Sequence, residues 1–159
     1  MTANWTTLVG ADELAAAIDD CVVVDCRHDL LDHDAGRRAY DEGHIPSAFF
    51  MAMESELSGP KTGRNGRHPL PDRDALRDRL AALGLTDDRQ LVAYDAHGGA
   101  MAARLWCLAR WLGHRKVAVL DGDLRAWRAA GYPVATDATA LPARPGRLDP
   151  NRPPLVTLV

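Results

Sequence analysis

Cysteine is scarce in this chain: 159 residues carry only Cys21, Cys26 and Cys107. So few thiols, and an odd number of them, exclude a disulfide framework and point to reduced cysteines in a cytoplasmic setting. Long hydrophobic runs are missing as well. Nothing approaches the roughly 20 apolar residues of a membrane span, and residues 1–10 lack a basic stretch followed by a hydrophobic one, so no membrane segment or secretion signal is expected. Charge of one sign is also lacking. Nineteen Lys and Arg stand against 22 Asp and Glu, a net charge of -3 that offers no field for nucleic acid or an anionic membrane. Neither a solenoid-type repeat nor a low-complexity tract is present.

What remains is the composition of a folded domain, 47% hydrophobic and 26% charged. The length suits one domain and excludes a self-contained two-domain enzyme. Apolar periodicity predicts a helix over 11–18, a buried strand over 22–24, a short helix over 37–42 and a strand over 48–51. Residues 54–71 hold Gly59, Pro60, Gly63, Gly66, Pro69 and Pro71 and read as a long loop. An amphipathic helix begins near Pro71 and Asp72 and ends at Gly84. Strands at 91–94 and 117–120 are each followed by a helix, 100–112 and 124–130, closed by Gly113 and Gly131. Short buried strands alternating with helices imply a parallel sheet covered on both faces.

Beyond Tyr132 the composition shifts, with Pro133, Pro142, Pro145, Pro150, Pro153 and Pro154. Residues 1–136 therefore read as the domain, and 137–159 as a Pro-rich linker or tail. Residues 154–159 look strand-like and would expose an unpaired edge, which suggests that a further domain follows.

Ligands in such sheets bind at the carboxyl ends of strands. There stand Asp25, Cys26 and Arg27, then Asp95, Ala96, His97, Gly98, Gly99 and Ala100, and Asp121 to Asp123. The glycine loop turns backbone N–H groups inward at a helix start, a setting for an anion or an anionic nucleophile. Asp95 at its head equally suits a plain helix cap. Asp25 and Arg27 suit an internal ion pair.

Four segments together resemble the rhodanese-like sulfurtransferases, and within them the first domain of tandem thiosulfate and 3-mercaptopyruvate sulfurtransferases. They are VVVDCR (22–27), GHIPSA (43–48), LVAYD with the helix AARLWCLARWLG (91–113), and LDGDLRAWRAAGYPV (120–134), and the likeness spans about residues 5–140. The resemblance implies a three-layer α/β/α fold with a central parallel sheet. It also implies a cysteine thiolate at the head of the glycine loop, which takes a sulfane sulfur as a persulfide and passes it to cyanide or a thiol. Asp95 occupies that position, and a carboxylate cannot carry a transferable persulfide. The first domain of the tandem enzymes departs in the same way, its reactive cysteine belonging to the second domain. By that likeness His44 and Asp34 would face the second domain's loop and assist proton transfer. The expected partners are a small sulfur-containing anionic substrate and a second rhodanese-like domain, with no cofactor and no metal.

Other readings are weaker. Cys26 has no glycine ring after it to activate it. Cys107, inside an apolar helix, suits a small buried hydrophobe. Cys21, Cys26, His28 and His33 could be drawn as a metal cluster, but a strand separates the two cysteines. Lys61, Arg64, Arg67 and His68 make the 54–71 loop basic, the ordinary state of a solvated loop. Asp121 and Asp123 could supply a phosphotransferase carboxylate, although such motifs open a core rather than close one. A cysteine phosphatase needs Cys and Arg where Asp95 and Met101 stand. A stand-alone, inactive rhodanese-like module that recognises a protein or an anion is the main alternative.

Overall fold

The structure, a computed structural model, describes residues 3–159. Five parallel strands form one sheet: β1 (Leu8–Val9), β2 (Cys21–Asp25), β3 (Phe49–Phe50), β4 (Gln90–Tyr94) and β5 (Val117–Leu120), in the order β1-β5-β4-β2-β3. Five α-helices among the described residues connect or flank them: α1 (Ala11–Ala17), which runs on into a 3₁₀ turn (Ile18–Asp20), α2 (Ala35–Glu42), α3 (Arg73–Ala82), α4 (Ala102–Trp111) and α5 (Asp123–Ala129). Among the described residues no helix is long and apolar enough to cross a membrane.

Strand periodicity sorts the core into two halves. On one face Val22, Val24, Leu91, Ala93 and Val117 pack against Leu76 and Leu80 of α3 and Leu105 and Leu108 of α4. The alternate residues, Cys21, Val23, Val92, Tyr94, Ala118 and Leu120, meet Leu14 of α1 and Leu124 and Trp127 of α5. Strands buried on both faces explain why β2 and β4 read as unbroken apolar runs. The result is the expected three-layer α/β/α arrangement.

Several boundaries differ from the sequence reading. β1 was not expected, because two residues carry no periodicity. It is held by register with Val119 and Leu120 of β5. α4 starts at Ala102 rather than at residue 100, because the preceding residues are turns wound around the Asp95 side chain. Residues 54–71 are irregular, as expected. Arg104 on α4 pins them by donating to the carbonyls of Leu57, His68 and Pro69 at 3.0–3.1 Å.

The Pro-rich segment is packed rather than loose. Thr139 donates through its hydroxyl to Ala48 O, Gly146 N to Ala81 O and Leu155 N to Arg110 O. Leu148 is buried, and Leu158 packs on the α3/α4 side of the core. Residues 154–159 form no strand. Prolines leave few N–H groups to pair, so this segment docks through single bonds instead of a ladder.

Strand order reverses between β2 and β4. From β2 the chain goes outward to β3, and from β4 it goes the other way to β5. The loops leaving the carboxyl ends of these two strands therefore flank a crevice, the usual ligand position in such sheets.

Candidate functional site

The crevice at that reversal is lined by Arg27 and His28 after β2, Gly36 and Ala39 of α2, and Ala96 and His97 after β4. Its floor is a buried polar group. Asp25 is 0% and Arg27 8% exposed, and Arg27 grips the carboxylate through Nε at 3.0 and 3.1 Å and through Nη2 at 2.6 Å. The Tyr94 hydroxyl donates to Asp25 Oδ2 at 3.0 Å and accepts from Ile45 N at 3.1 Å. Arg27 Nη2 also donates to Gly43 O. Burial pulls the Arg27 pKa down, but the hydrogen bonds and charge of Asp25 outweigh it and the net direction is up. Burial first, and then the Asp25 charge, push the Tyr94 phenol up. With every charge paired, this is the expected ion pair, and it ties the ends of β2 and β4 to the residue 43–45 turn.

Asp95 is the centre of the glycine loop. Its side chain is 0% exposed. Oδ1 accepts from His97 N at 3.0 Å and Gly99 N at 2.9 Å, and Oδ2 accepts from Met101 N at 2.8 Å and Ala102 N at 2.9 Å. Four amides converge on one carboxylate because Gly98 and Gly99 take φ of +70° and +92°, a region that costs other L-residues strain. Gly98 N turns aside to Asp123 Oδ2 at 2.9 Å. Asp123 is in turn forked by Arg125. That Arg125 hydrogen bond and the amides lower the Asp123 pKa to about 2 against the opposing effect of burial. The loop is thus an amide ring built for an anion, filled by the chain's own side chain.

Cys26, just past the end of β2, and Cys21, at its start, are poor nucleophiles. Cys26 is fully buried, and burial, with the Asp25 and Asp95 charges behind it, raises its pKa well above the usual thiol range. Cys21 is held up to about 11 by burial and Asp20. Cys107 is half-buried rather than fully buried, since its face of α4 lies beside Asn65, Thr157 and Val159.

His44 and Asp34 are not brought together. His44 is 0% exposed, its Nδ1 lies 2.7 Å from Tyr40 O, and its ring stacks on Tyr40 at 3.8 Å. Asp34 lies exposed just before α2, and its carboxylate makes no cap bond there. The GHIP turn folds His44 inward, where Nδ1 bonds a carbonyl one helical turn back and Nε2 has no partner among the described residues. Asp121 is exposed while the Asp123 carboxylate is engaged, so the pair shares no metal-facing edge.

The cysteine-and-histidine metal grouping is not assembled either, because Cys21 lies at the far end of β2 from His28. The residue that does gather histidines is Glu54, which sequence reasoning passed over. His68 donates to its Oε1 at 2.7 Å, and Lys61 reaches its Oε2 at 2.8 Å. The Lys61 hydrogen bond leads the causes that lower the Glu54 pKa to about 2. Lys61, Arg64 and Arg67 of the basic loop are exposed as expected, while His68 is half-buried against Glu54. No periodicity or spacing links residue 54 to residues 28, 33 and 68; a carboxylate just past a two-residue strand gives no signal of its own.

Known proteins share this fold. A Pseudomonas aeruginosa protein assigned as a 3-mercaptopyruvate sulfurtransferase is 48% identical over 143 residues, 87% of this chain and 50% of that protein. SseB of Mycobacterium tuberculosis, named as a thiosulfate sulfurtransferase, is 38% identical over 139 residues, 86% of this chain and 49% of its own. The chain spans about half the length of these curated relatives. Among solved structures, the 3-mercaptopyruvate sulfurtransferase of Leishmania major aligns with a TM-score of 0.81 at 30% identity, covering 89% of this chain and 39% of that one. SseA of Escherichia coli aligns at 0.77 and 32%, covering 90% and 54%. The family model described as the rhodanese-like domain matches residues 10–130, and the chain belongs to that family.

Proposed function

We propose that this chain is the half of a tandem sulfurtransferase that lacks the nucleophile. The reaction is transfer of a sulfane sulfur from thiosulfate or 3-mercaptopyruvate to cyanide or a thiol, carried by a cysteine on a second rhodanese-like domain. The observation behind this reading is the Asp95 ring. Four amides aimed at one point are the device that holds a cysteine thiolate and its persulfide ionised, and here they hold a carboxylate that cannot accept sulfur. The names of the relatives and the half-length match support the same reading.

In this division of labour the chain contributes one wall of the site. The crevice between the β2 and β4 loops, lined by Arg27, His28, Asp29 and His97, offers a partly polar surface to a small sulfur-containing anion and to the second domain's loop. Of the two residues that the family resemblance carries toward that loop, Asp34 is exposed and free to face it. His44 is shut inside and acts by holding the turn in shape. A stand-alone anion-recognition module is the poorer alternative, because the amides it would use are already bonded to Asp95.

The test is persulfide formation followed by intact mass. Fed thiosulfate or 3-mercaptopyruvate, the native chain should gain nothing, while Asp95→Cys should gain the mass of one sulfur atom. The product of the uninterrupted native gene should weigh roughly twice the 17.3 kDa of this chain and take up sulfur on a cysteine outside it. Sulfur uptake by the native chain, or an Asp95→Cys loop that stays unmodified while folded, would overturn the reading.

A further inference from the structure

We propose that His28, His33 and Glu54 form a binding site for one divalent transition-metal ion of the Zn²⁺ type, at the rim of the crevice and independent of sulfur transfer. One donor atom from each lies within 4.8 Å of the others. Glu54 Oε1 stands 3.5 Å from His28 Nε2 and 3.6 Å from His33 Nε2. Ligands about 2.0–2.2 Å from a tetrahedral Zn²⁺ are separated by about 3.3–3.6 Å, which the two Glu54–imidazole separations already match, while the two imidazole nitrogens, within 4.8 Å of each other, would close by about 1 Å to share an ion.

A second observation separates this cluster from an ordinary carboxylate with histidines around it. His28 is 4% exposed, and its Nε2 approaches Oε1 without forming a hydrogen bond and has no other partner among the described residues. A buried imidazole nitrogen left unpaired is costly; His44 Nε2 and His114 Nδ1 are also unpaired, but among the described residues His28 Nε2 alone of the three has a second imidazole and a carboxylate at metal-ligand spacing. A metal ion between it and Oε1 would satisfy it. The second oxygen of Glu54 is anchored by Lys61 at 2.8 Å, the kind of outer contact that fixes a ligating carboxylate in one orientation. His68, 2.7 Å from Oε1, gives up that hydrogen bond when the ion takes the oxygen, which leaves its ring beside the metal.

The donor set names the metal class. Imidazole nitrogens with a single carboxylate favour Zn²⁺, Co²⁺, Ni²⁺ or Cu²⁺, whereas Mg²⁺ and Ca²⁺ prefer all-oxygen sites. The ligands come from different parts of the chain. His28 and His33 belong to the loop between β2 and α2, and Glu54 follows β3. A bound ion would cross-link them and, through Glu54, steady the Lys61 and His68 loop.

Co²⁺ alone, titrated into the full, tag-free chain, tests this directly. The expected result is a visible d–d absorption that saturates at one ion per chain, is displaced by Zn²⁺ and survives excess Mg²⁺, with a rise in Tm that grows with metal concentration. The His33 side chain is 51% exposed, so His33→Ala should fold normally and bind Co²⁺ at least about tenfold more weakly. Glu54→Gln should behave alike. No saturable absorption, or binding unchanged in folded His33→Ala, overturns the site.

Discussion

Asp95 shows how one residue can replace a reaction with a structural contact. Its carboxylate is the acceptor for four loop amides, and each buried donor left unpaired costs about 1–3 kcal/mol. Asp95→Ala should therefore lower stability by about 3 kcal/mol or more, read as a fall in the urea midpoint at unchanged slope. Asp123 adds a pH dependence. Its carboxyl titrates near 2 in the folded chain and near about 3.9 when unfolded. Its contribution is therefore complete above about pH 4 and fades as pH falls toward 2. In Asp123→Asn the urea midpoint should change less between pH 4.5 and 2.5 than in the native chain. These roles were partly legible. Gly98 and Gly99 announced a loop that gathers amides, and Asp25 with Arg27 announced an ion pair at a strand end. Glu54 was not legible, because its partners lie on segments that only the fold brings together.

At the scale of elements, the packing of α2 turns on a single glycine. A Cβ on Gly36 would stand 1.9 Å from Arg27 O, whereas one on Gly98 would meet nothing within 4 Å. Gly36→Ala must shift the helix off the β2 loop and should cost about 1–3 kcal/mol. Gly98→Ala pays only for its positive φ, about 1–2 kcal/mol. Thermal melts of the two variants compare them, and near-UV circular dichroism should report rearranged packing for Gly36→Ala alone. The longer elements were plain in the sequence for physical reasons. β2 and β4 are buried on both faces, so every position is apolar or pairs internally, and α3 shows its stripe and its Asp72 cap. β1 escapes such reading, whereas β3 falls within the strand expected over 48–51. Two residues cannot display a period, and neighbouring strands decide their conformation.

For the whole molecule, the segment that composition assigns to a linker is part of the packed body. Its docking runs through the carbonyls of Ala81 and Arg110 and through Gly146, where a Cβ would lie 2.0 Å from Leu85 O. Backbone acceptors of this kind leave no trace in the sequence. A chain ending at residue 136 should lose the buried Leu148 side chain, worth about 2 kcal/mol, together with these bonds. It should melt lower and be cleaved faster by protease than the 159-residue chain. The filled Asp95 ring has a consequence for how the molecule responds to its surroundings. A tethered carboxylate is present at an effective concentration far above that of any dissolved anion, so sulfate or thiosulfate cannot displace it and the native loop is indifferent to the salt around it. Cutting the tether, as in Asp95→Ala, turns the same four amides into an open receptor. That variant should regain stability with added sulfate to a degree that the native chain, occupied from within, does not share.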